Sequence, residues 1–599
     1  MMDNQQEQFR IDARRRLLIL GGINGLLLVG LGSRLFYLQV LKGGLYRDMA
    51  NDNRISLHPI PAPRGRIFDR SAIPLVENNP DYVLAVIPEL VGNLSQLLSK
   101  LQGYTSLSDK SIEVILRQSR RQRTFLPLKV KSHLTWEELS SIEVQLPFLP
   151  GVIIQVQSQR SYPHGTLAAH LLGYLGEVTD IDREQFAKIR FRYGDLVGKN
   201  GIERSYEELL RGTEGVRELE INAFGRQVRE LHQNMAQPGQ DLYLTIDLAL
   251  QRSCEELFQG HTGAVVALDV NTGEVLAMVS HPAYDPNEFI RGFSARQWHV
   301  LLNNPGRPLS NKAIQGQYPP GSTFKMVVAL AALQEGRVTP QDRVFCPGFL
   351  MRESQRFNCW RRVGHGSVNL EEALEQSCDV YFYRLGEKLG IDMIEKYARL
   401  FGFGESTGVG LHGERHGLVP SRAWKRKVRK EDVWYPGENL ITAIGQGYLT
   451  ATPIQLACMT AAIANGGTLY RPSMIRHTSD PPVVRQHLRI RREHMAVIKQ
   501  GMELVVKGDH GTARSAKLEG VSIAGKTGTS QVVRQQRHDD RSGRDERKFR
   551  DHALFVAYAP ADKPEIALAV VVEHGGHGGQ TAAPIVGKII DRYFERQRL

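Results

Sequence analysis

Residues 318–333 read Tyr318-Pro319-Pro320-Gly321-Ser322-Thr323-Phe324-Lys325-Met326-Val327-Val328-Ala329-Leu330-Ala331-Ala332-Leu333. A Pro-Gly turn leads into a run that is apolar on every side and closes at Gly336, which predicts a buried helix. Ser322 falls in the first turn of this helix, and Lys325 follows three positions later on the same face. A lysine that has lost its proton through burial and neighbouring cations can activate a serine hydroxyl. The backbone N–H groups at a helix start also suit a developing oxyanion. A capping serine beside a surface lysine would give the same pattern, so support must come from elsewhere in the chain.

Length and composition indicate a globular protein of two to four domains with a large core. The chain has 599 residues, of which 41% are hydrophobic and 23% charged. Its formal net charge is +12. Because the basic residues look scattered and no basic motif interleaved with aromatic residues stands out, we expect no nucleic-acid partner. Attraction to anionic lipid or to an anionic polymer fits the charge equally well.

The N-terminal region predicts a membrane anchor. Arg14, Arg15 and Arg16 precede an apolar run that continues to residue 41. A helix over residues 17–41 would cross the hydrocarbon core if Arg34 extends its charge to the interface. The alternative is a cleaved signal peptide, but no small-x-small cleavage site follows the run. The arginines predict a cytoplasmic tail over residues 1–16, with the bulk of the chain outside the cytoplasm.

A change in the sequence pattern near residue 240 predicts a domain boundary. It gives one domain over 42–240 and another over 241–599. The second domain is expected to be mostly helical over 320–510. Residues 534–551 are dense in charges of both signs and predict a solvated loop. Strands at both ends of the domain with helices between them predict an α+β fold built on one sheet. The expected strands and the closing helix cover residues 263–270, 274–280, 520–533, 553–559, 565–573 and 582–596.

Two further motifs follow Ser322 along the chain. Ser377-Cys378-Asp379 is predicted in a loop between helices, and Lys526-Thr527-Gly528-Thr529 in a strand. A Lys-Thr-Gly strand offers a cation, hydroxyls and a small residue that lets another backbone approach. The order S-x-x-K, S-x-[DN], K-[ST]-G is the motif set of penicillin-binding proteins and serine β-lactamases.

With these motifs the chain resembles a class B penicillin-binding protein of the elongation type. The resemblance extends to residues 64–70, 160–174 and 201–212, which are similar to the family's non-catalytic pedestal (dimerisation-type) domain, and to residues 444–448, 452–457 and 582–584 of its transpeptidase domain. It implies a transpeptidase domain with an antiparallel sheet flanked by helices. Asp379 stands where many members of the wider superfamily have Asn, but elongation-type members commonly have Asp.

The resemblance implies a D,D-transpeptidase that cross-links peptidoglycan stem peptides and is acylated by β-lactams. Ser322 would attack the bond between two terminal D-alanines while Lys325 accepts its proton. Ser377 would relay a proton to the departing D-alanine, with Lys325 and Asp379 fixing the network. The substrate carboxylate would bind Lys526, Thr527 and Thr529, with Gly528 allowing the approach. The N–H groups of Ser322 and Thr529 would form the oxyanion hole.

A second group of residues predicts a metal site. Cys346, Cys359, His365 and Cys378 together supply the Cys₃His ligand set of a structural zinc site. A disulfide between two of the thiols is the competing interpretation outside the cytoplasm. The resemblance favours zinc, because similar elongation-type members hold zinc at these positions. No organic cofactor is expected.

Two other functions share the same motifs. A D,D-carboxypeptidase would transfer the acyl group to water, and a non-catalytic β-lactam sensor would only bind drug covalently. The pedestal and anchor weigh against the first, and the lack of a recognisable cytoplasmic signalling module against the second. The resemblance implies as partners a multispanning glycan polymerase of the shape, elongation and division family and other proteins of the elongation complex. It places the chain in a bacterial inner membrane, with the catalytic domain in the periplasm.

Overall fold

The computed structural model describes residues 2–44, 55–120, 122–192, 194–222, 227–476, 481–531 and 550–598. The chain forms two compact units, the first from residues 1–63, 80–158 and 212–239 and the second from residues 64–79, 159–211 and 240–599. The domain boundaries expected from the sequence stay predictions. The loop predicted over 534–551 lies outside the described residues, apart from Arg550 and Asp551.

The first unit begins with the predicted apolar helix. It spans Met2–Phe36 and continues as a π-helical turn over Tyr37–Leu41. Within its segment Arg14–Leu41, an 18-residue stretch has a mean hydropathy of 1.6 and is not buried against the rest of the chain. At 28 residues the segment is long enough to cross a bilayer.

The rest of the first unit holds two small layers. The strands Ile55–Ile60, Gly215–Ile221 and Gln227–Asn234 form an antiparallel sheet in that order. A separate core packs three amphipathic helices, Leu94–Gln102, Asp109–Ser119 and Trp136–Gln145, against strand Leu128–Lys131 and its neighbours. The helices start at Asn93, Ser108 and Thr135, whose side chains accept backbone N–H groups as N-caps.

The second unit is built on a five-stranded antiparallel sheet, as predicted from the strands at both ends of the domain. In spatial order its strands are Val275–His281, Gly263–Asp269, Ile566–Val572, His552–Ala559 and Ala524–Ser530. The first two form the predicted hairpin, and the last carries the Lys-Thr-Gly motif at the sheet edge. The α+β fold is therefore confirmed.

Both faces of this sheet are covered because its strands are apolar on both sides. Val266 and Leu268 face the core that contains the buried helix Lys325–Gln334. Val265 and Ala267 face a second core, which the C-terminal helix Gly578–Arg598 covers. The period-2 alternation of strand side chains thus places the helix that follows Ser322 on one face of the sheet.

The middle of this unit is less helical than predicted. The described part of residues 320–510 contains six short strands, which pair as three two-stranded ladders between the helices. These strands are Val344–Cys346, Phe349–Arg352, Gln355–Asn358, Gly366–Val368, Thr468–Tyr470 and Val484–His487. The helices of at least six residues from residue 248 to 507, apart from Lys325–Gln334, are Leu248–Leu257, Pro286–Arg291, Ala295–Leu302, Leu370–Glu375, Asp379–Leu400, Pro436–Ala443, Pro453–Ala464 and Arg492–Lys507.

The remaining elements of the second unit are short. Its other strands are Ile67–Phe68, Leu175–Glu177, Leu196–Gly198 and Leu242–Tyr243. Strand Pro74–Val86 begins in this unit, and strand Val152–Ser161 ends in it. Its short helices are Ala169–Leu172, Asp180–Gln185, Gly201–Ser205, Glu207–Leu210, Lys312–Gln315 and Arg422–Trp424.

A buried charge cluster joins the segments that resemble the pedestal of the family. The Glu203 carboxylate is 0% exposed. It accepts hydrogen bonds from Nε of Arg64 and from Nε of Arg160, each at 2.7 Å. Arg64 also binds Glu207 at 2.6 Å. Burial opposes ionisation of Glu203, but Arg160 and Arg64 outweigh it and lower the pKa of this carboxyl group. A buried charge is tolerated only when it is paired, so these segments depend on one another.

Replacing Glu203 by Gln is expected to lower the free energy of unfolding by about 3–5 kcal/mol at pH 7, because the buried Arg160 and the partly buried Arg64 lose a shared countercharge. The exposed neighbour Glu208 provides the matched control, and Glu208→Gln should change the stability by less than about 0.5 kcal/mol. Chemical denaturation of the full chain in detergent measures both. Equal stability of the two variants would contradict the structural role of Glu203.

Candidate active site

Ser322 lies in a tight turn at the start of the buried helix. Residues Gly321–Phe324 form a 3₁₀ turn that runs directly into Lys325–Gln334. The prediction of a buried helix is confirmed, but Ser322 stands in the turn that precedes the α-helix and not in the α-helix itself. Pro319 and Pro320 cannot donate hydrogen bonds, and Gly321 adopts a φ of +54°, so the chain reverses here without strain.

Two glycines bring other segments against this turn. A Cβ atom on Gly445, whose φ is +73°, would lie 2.1 Å from the Gly321 carbonyl oxygen. The Gly321 N–H donates to the Gly445 carbonyl at 2.8 Å. On the strand that carries the Lys-Thr-Gly motif, a Cβ on Gly528 would lie 3.0 Å from the Pro320 carbonyl oxygen. The turn with Ser322 therefore contacts both the loop at Gly445 and the edge strand of the sheet.

The predicted lysines and the Ser377 motif meet in one hydrogen-bonded network. The Lys325 ammonium donates to Asp379 Oδ1 at 2.7 Å, to the Ser377 carbonyl at 2.9 Å and to Ser377 Oγ at 3.3 Å. Lys526 Nζ lies 2.9 Å from the same Ser377 hydroxyl. Both lysine residues are 0% exposed. Three segments that are distant in sequence thus meet at the Ser377 hydroxyl, which lies between two buried amines.

The pKa values of Lys526 and Asp379 in this network are shifted in opposite directions. Burial, and then the charge of Lys325, lower the pKa of Lys526 well below its usual value, against the smaller opposite effect of Asp379. Burial raises the pKa of Asp379, and Lys325 only partly offsets that increase. Two cations and one carboxylate cannot all be charged at low cost in this dry pocket. The amine that loses its proton most readily through these effects is that of Lys526.

Ser377 itself has an unusual backbone. Its φ is +55°, a left-handed conformation that is uncommon for residues other than glycine. It lies between the helices Leu370–Glu375 and Asp379–Leu400, as the sequence predicted. The turn directs Cys378 towards the other cysteines, while Ser377 and Asp379 meet the lysines. A strained residue persists only where its surroundings hold it, and such positions cluster at functional sites.

Trp360 is a residue of this site that sequence reasoning missed. Its backbone N–H donates to Asp379 Oδ2 at 2.8 Å. Its indole N–H lies 3.1 Å from the carbonyl oxygens of Gln376 and Ser377. Adjacency to Cys359 was the available sequence signal. Trp360 therefore fixes the backbone of the Ser377 motif from outside the lysine network.

The other predicted residues lie close by with different partners. The Thr527 hydroxyl bonds that of Thr512 at 2.9 Å, outside the lysine network. The Thr529 carbonyl accepts the side-chain N–H of Gln446 at 2.8 Å. Among the described residues, no hydrogen bond of the Ser322 hydroxyl is found, and Lys325 is turned to Asp379 and Ser377 instead. Gln446 is a second residue whose contact with the site could not be derived from the sequence alone.

The four residues of the predicted metal site come together. The ligand atoms of Cys346, Cys359, His365 and Cys378 all lie within 4.8 Å of one another. The sulfurs of Cys346 and Cys359 lie 3.6 and 3.5 Å from His365 Nδ1. Short loops hold them, since the His365 N–H bonds the Cys346 carbonyl and the Cys359 N–H bonds the Gly348 carbonyl. A group of three thiols and one imidazole this compact fits the donor set of a structural zinc ion.

The protonation chemistry of this group also suits a metal. Contacts with Cys378 and His365 lower the pKa of Cys346 to about 6 and that of Cys359 to about 3. Contacts with Cys346 and Cys359, together with burial, raise the pKa of Cys378. Thiolate is the form that binds metals. All five cysteines of the chain are free thiols in the structure, so the geometry does not favour the alternative disulfide.

Comparisons with known proteins agree over nearly the whole chain. The family model for the penicillin binding protein transpeptidase domain matches residues 263–591, and that for the penicillin-binding protein dimerisation domain matches residues 59–244. The peptidoglycan D,D-transpeptidase MrdA of Haemophilus influenzae is 38% identical, over 98% of this chain and 92% of the relative.

Solved structures give the same result. Penicillin-binding protein PBP2 of Helicobacter pylori, in complex with MreC, matches with a TM-score of 0.81 and 30% identity, covering 91% of this chain and 99% of that one. A structure described as the coordination of polymerization and crosslinking by a peptidoglycan synthase complex matches with a TM-score of 0.73 and 31% identity, covering 97% and 98%. The chain therefore belongs to the penicillin-binding protein family and is a peptidoglycan D,D-transpeptidase.

Proposed function

We propose that Ser322 is the nucleophile of this transpeptidase, which cross-links stem peptides during cell elongation and is the target of β-lactams. The observation that carries the assignment is the network in which Lys325, Ser377 and Lys526 share one hydroxyl beside the Ser322 turn. A serine becomes a nucleophile when a neighbouring base takes its proton. Lys325 is the base, since it stands one helical turn from Ser322.

The lowered pKa of Lys526 suggests how Lys325 becomes free to act. The two amines are joined through the Ser377 hydroxyl, at 3.3 Å from Lys325 and 2.9 Å from Lys526. A substrate carboxylate that binds Lys526 stabilises its charged form. Lys325 then passes a proton through Ser377 to Lys526, which leaves Lys325 as a neutral amine next to Ser322. Substrate binding and activation of the nucleophile are thereby coupled.

The bond changes follow from these roles. The Ser322 oxygen attacks the carbonyl carbon between the two terminal D-alanines, and Lys325 takes its proton. Ser377 returns that proton to the nitrogen of the departing D-alanine as the peptide bond breaks. An amine of a second stem peptide then attacks the Ser322 ester, forms the new amide and gives the hydroxyl back its proton. The N–H groups of Ser322 and Thr529 stabilise both oxyanions, and Thr527 and Thr529 assist Lys526 in holding the carboxylate.

Hydrolysis of the acyl-enzyme, as in a D,D-carboxypeptidase, is the second candidate reaction. It needs the same acylation network and differs only in the acceptor. A non-catalytic β-lactam sensor would need acylation alone. The matches to the dimerisation and transpeptidase models together, and to MrdA over the full length, favour transfer to an amine.

The membrane context extends this proposal. The Arg14–Leu41 helix would anchor the chain in a single pass, with the N-terminus in the cytoplasm because Arg14, Arg15 and Arg16 precede the span. The catalytic unit would then lie in the periplasm beside its peptidoglycan substrate. The likeness to a peptidoglycan synthase complex and to an MreC-bound PBP2 supports a multispanning glycan polymerase and other elongation-complex proteins as partners.

We also propose that Cys346, Cys359, His365 and Cys378 hold a structural zinc ion. Bound there, zinc would link the segments that carry these four residues and would supply no chemistry on the substrate. Cys378 stands between Ser377 and Asp379, and Trp360 follows Cys359 directly. Ligation on one side of these residues would fix the Ser377 turn and the hydrogen bonds of Trp360 on the other.

Replacing Ser322 by Ala is expected to abolish covalent labelling by a fluorescent penicillin, because the acylated oxygen is gone. Gel fluorescence of the purified full chain measures this. Ser530→Ala is the matched control, since this serine lies on the Lys-Thr-Gly strand outside the proposed reaction, and it should keep labelling within about threefold. Persistent labelling of the Ser322 variant would refute the assignment.

The rate of acylation is expected to rise with pH along an acidic limb and to level off well below pH 10.5. The pKa of Lys526 is depressed, so this amine is neutral above its lowered pKa and can accept the proton from Lys325 only there. Stopped-flow acylation by a penicillin over pH 5–10 measures the limb. A rate that increases only near the ordinary lysine pKa would contradict the shared-proton account.

Metal analysis of the purified chain is expected to give one zinc per molecule, and chelation to slow acylation by about 10–100-fold without lowering the final extent of labelling. Cys346→Ser should lose the metal, whereas Cys458→Ala, a buried cysteine outside the cluster, should keep it. Absence of zinc together with two thiols missing from a thiol titration would establish the disulfide instead.

A further inference from the structure

A basic surface segment lies next to the active site and has no role in the chemistry above. It contains Arg422, Arg426, Lys427, Arg429 and Lys430, all exposed, and is called the basic rim. The expectation that basic residues are scattered along the sequence does not hold for this segment. Trp424 lies within the same segment.

The basic rim keeps part of its charge unneutralised. Arg426 pairs with Asp432 at 3.1 Å and Arg422 with Asp392 at 3.4 Å, whereas Arg429 approaches Glu431 only at 4.0 Å. Among the residues that the structure describes, Lys427 and Lys430 form no ion pair. Exposed pairs of this kind are weak, so the segment presents a positive field to solvent.

A buried lysine fixes the segment in place. Lys425, 1% exposed, donates to the Glu438 carboxylate at 2.8 Å and to the Val433 carbonyl at 2.8 Å. Its ammonium also lies 4.7 Å from the centre of the Tyr435 ring. The residues on either side of Lys425 are therefore held by a specific buried contact, which gives the rim charges a defined position.

The rim borders the catalytic turn through the loop at Gly445. The guanidinium of Arg429 lies 5.7 Å from the ring centre of Tyr448, and Trp424 packs on the same ring at 5.0 Å. Tyr448 is two residues from Gln446, which donates to the Thr529 carbonyl. Gly445 in turn bonds the N–H of Gly321, next to Ser322. One short loop thus joins the rim to the proposed nucleophile.

We propose that the basic rim binds the acceptor stem peptide through its free carboxylate. This inference rests on the proposed function, because it concerns the second half of the same reaction. An unreacted stem peptide ends in a carboxylate, and a cationic surface beside the cleft raises its local concentration. The donor's carboxylate is already assigned to Lys526, Thr527 and Thr529. The rim charges are therefore available to the peptide whose amine attacks the acyl-enzyme.

The test separates acylation from transfer in the full chain in detergent. The donor is a depsipeptide whose side-chain amine is acetylated, so that it cannot act as acceptor. The acceptor is a stem tripeptide with a free amine, supplied either with its C-terminal carboxylate or as the C-terminal carboxamide. Mass spectrometry then counts the cross-linked product against the hydrolysed donor.

The double variant Lys427→Glu, Lys430→Glu is expected to lower cross-linking of the carboxylate acceptor by about three- to tenfold and to raise the hydrolysed fraction. Cross-linking of the carboxamide should change by less than about twofold, and the difference between acceptors should shrink at high salt. Lys563→Glu with Lys588→Glu makes the same charge change elsewhere. Lys563 lies in the turn at the end of the sheet far from Thr529, and this control should behave as the parent.

Acylation by a fluorescent penicillin should be unchanged in the rim variant. The loss of acylation in Ser322→Ala therefore tests the proposed function separately from the acceptor site. Equal loss of cross-linking with both acceptors, or no loss with either, would overturn the acceptor site. A rim variant that cross-links normally but no longer binds phosphatidylglycerol vesicles would also overturn it and assign the rim to the lipid surface.

Discussion

The ammonium of Lys325 is fully buried and meets its carboxylate partner, Asp379, at 2.7 Å. Most of the architecture around the site keeps this contact in place. A buried cation costs several kcal/mol unless it is paired and hydrogen-bonded, so the helix that carries Lys325 must dock where Asp379 and the Ser377 carbonyl meet it. The same docking leaves room for a second buried amine, Lys526, at lower proton affinity than usual.

The backbone of the Ser377 turn connects the contact of Lys325 to residues behind the cleft. Ser377 is strained, and the contacts that oppose its relaxation come from both sides, Lys325 within the cleft and Trp360 behind it. Cys378 and Cys359 lie immediately next to Ser377 and Trp360 in sequence, and they form one cluster with Cys346 and His365. Under the proposal that they hold zinc, the ion would stiffen the turn without touching the substrate.

Much of this could be predicted from the sequence. The strands at both ends of the second domain are short, nearly continuous apolar runs, and the three motifs occur together in penicillin-binding proteins and serine β-lactamases. The predictions failed where long-range contacts decide. The 3₁₀ turn at Ser322 depends on Gly445, and Gln446 reaches the Thr529 carbonyl from a distant part of the chain. The pKa of Lys526 is lowered first by its burial and then by the charge of Lys325, and both depend on contacts between segments that are distant in sequence.

The central claim is that one proton is shared across Lys325, Ser377 and Lys526. The most direct measurement is the titration of the Lys526 side chain by NMR of the full chain in detergent, with ¹⁵Nζ-labelled lysine and Lys526→Arg for assignment. The account predicts that Lys526 titrates well below 10.5 in the free enzyme and is protonated at neutral pH once a D-Ala-D-Ala peptide is bound. A Lys526 amine that titrates near 10.5 and ignores the peptide would contradict it.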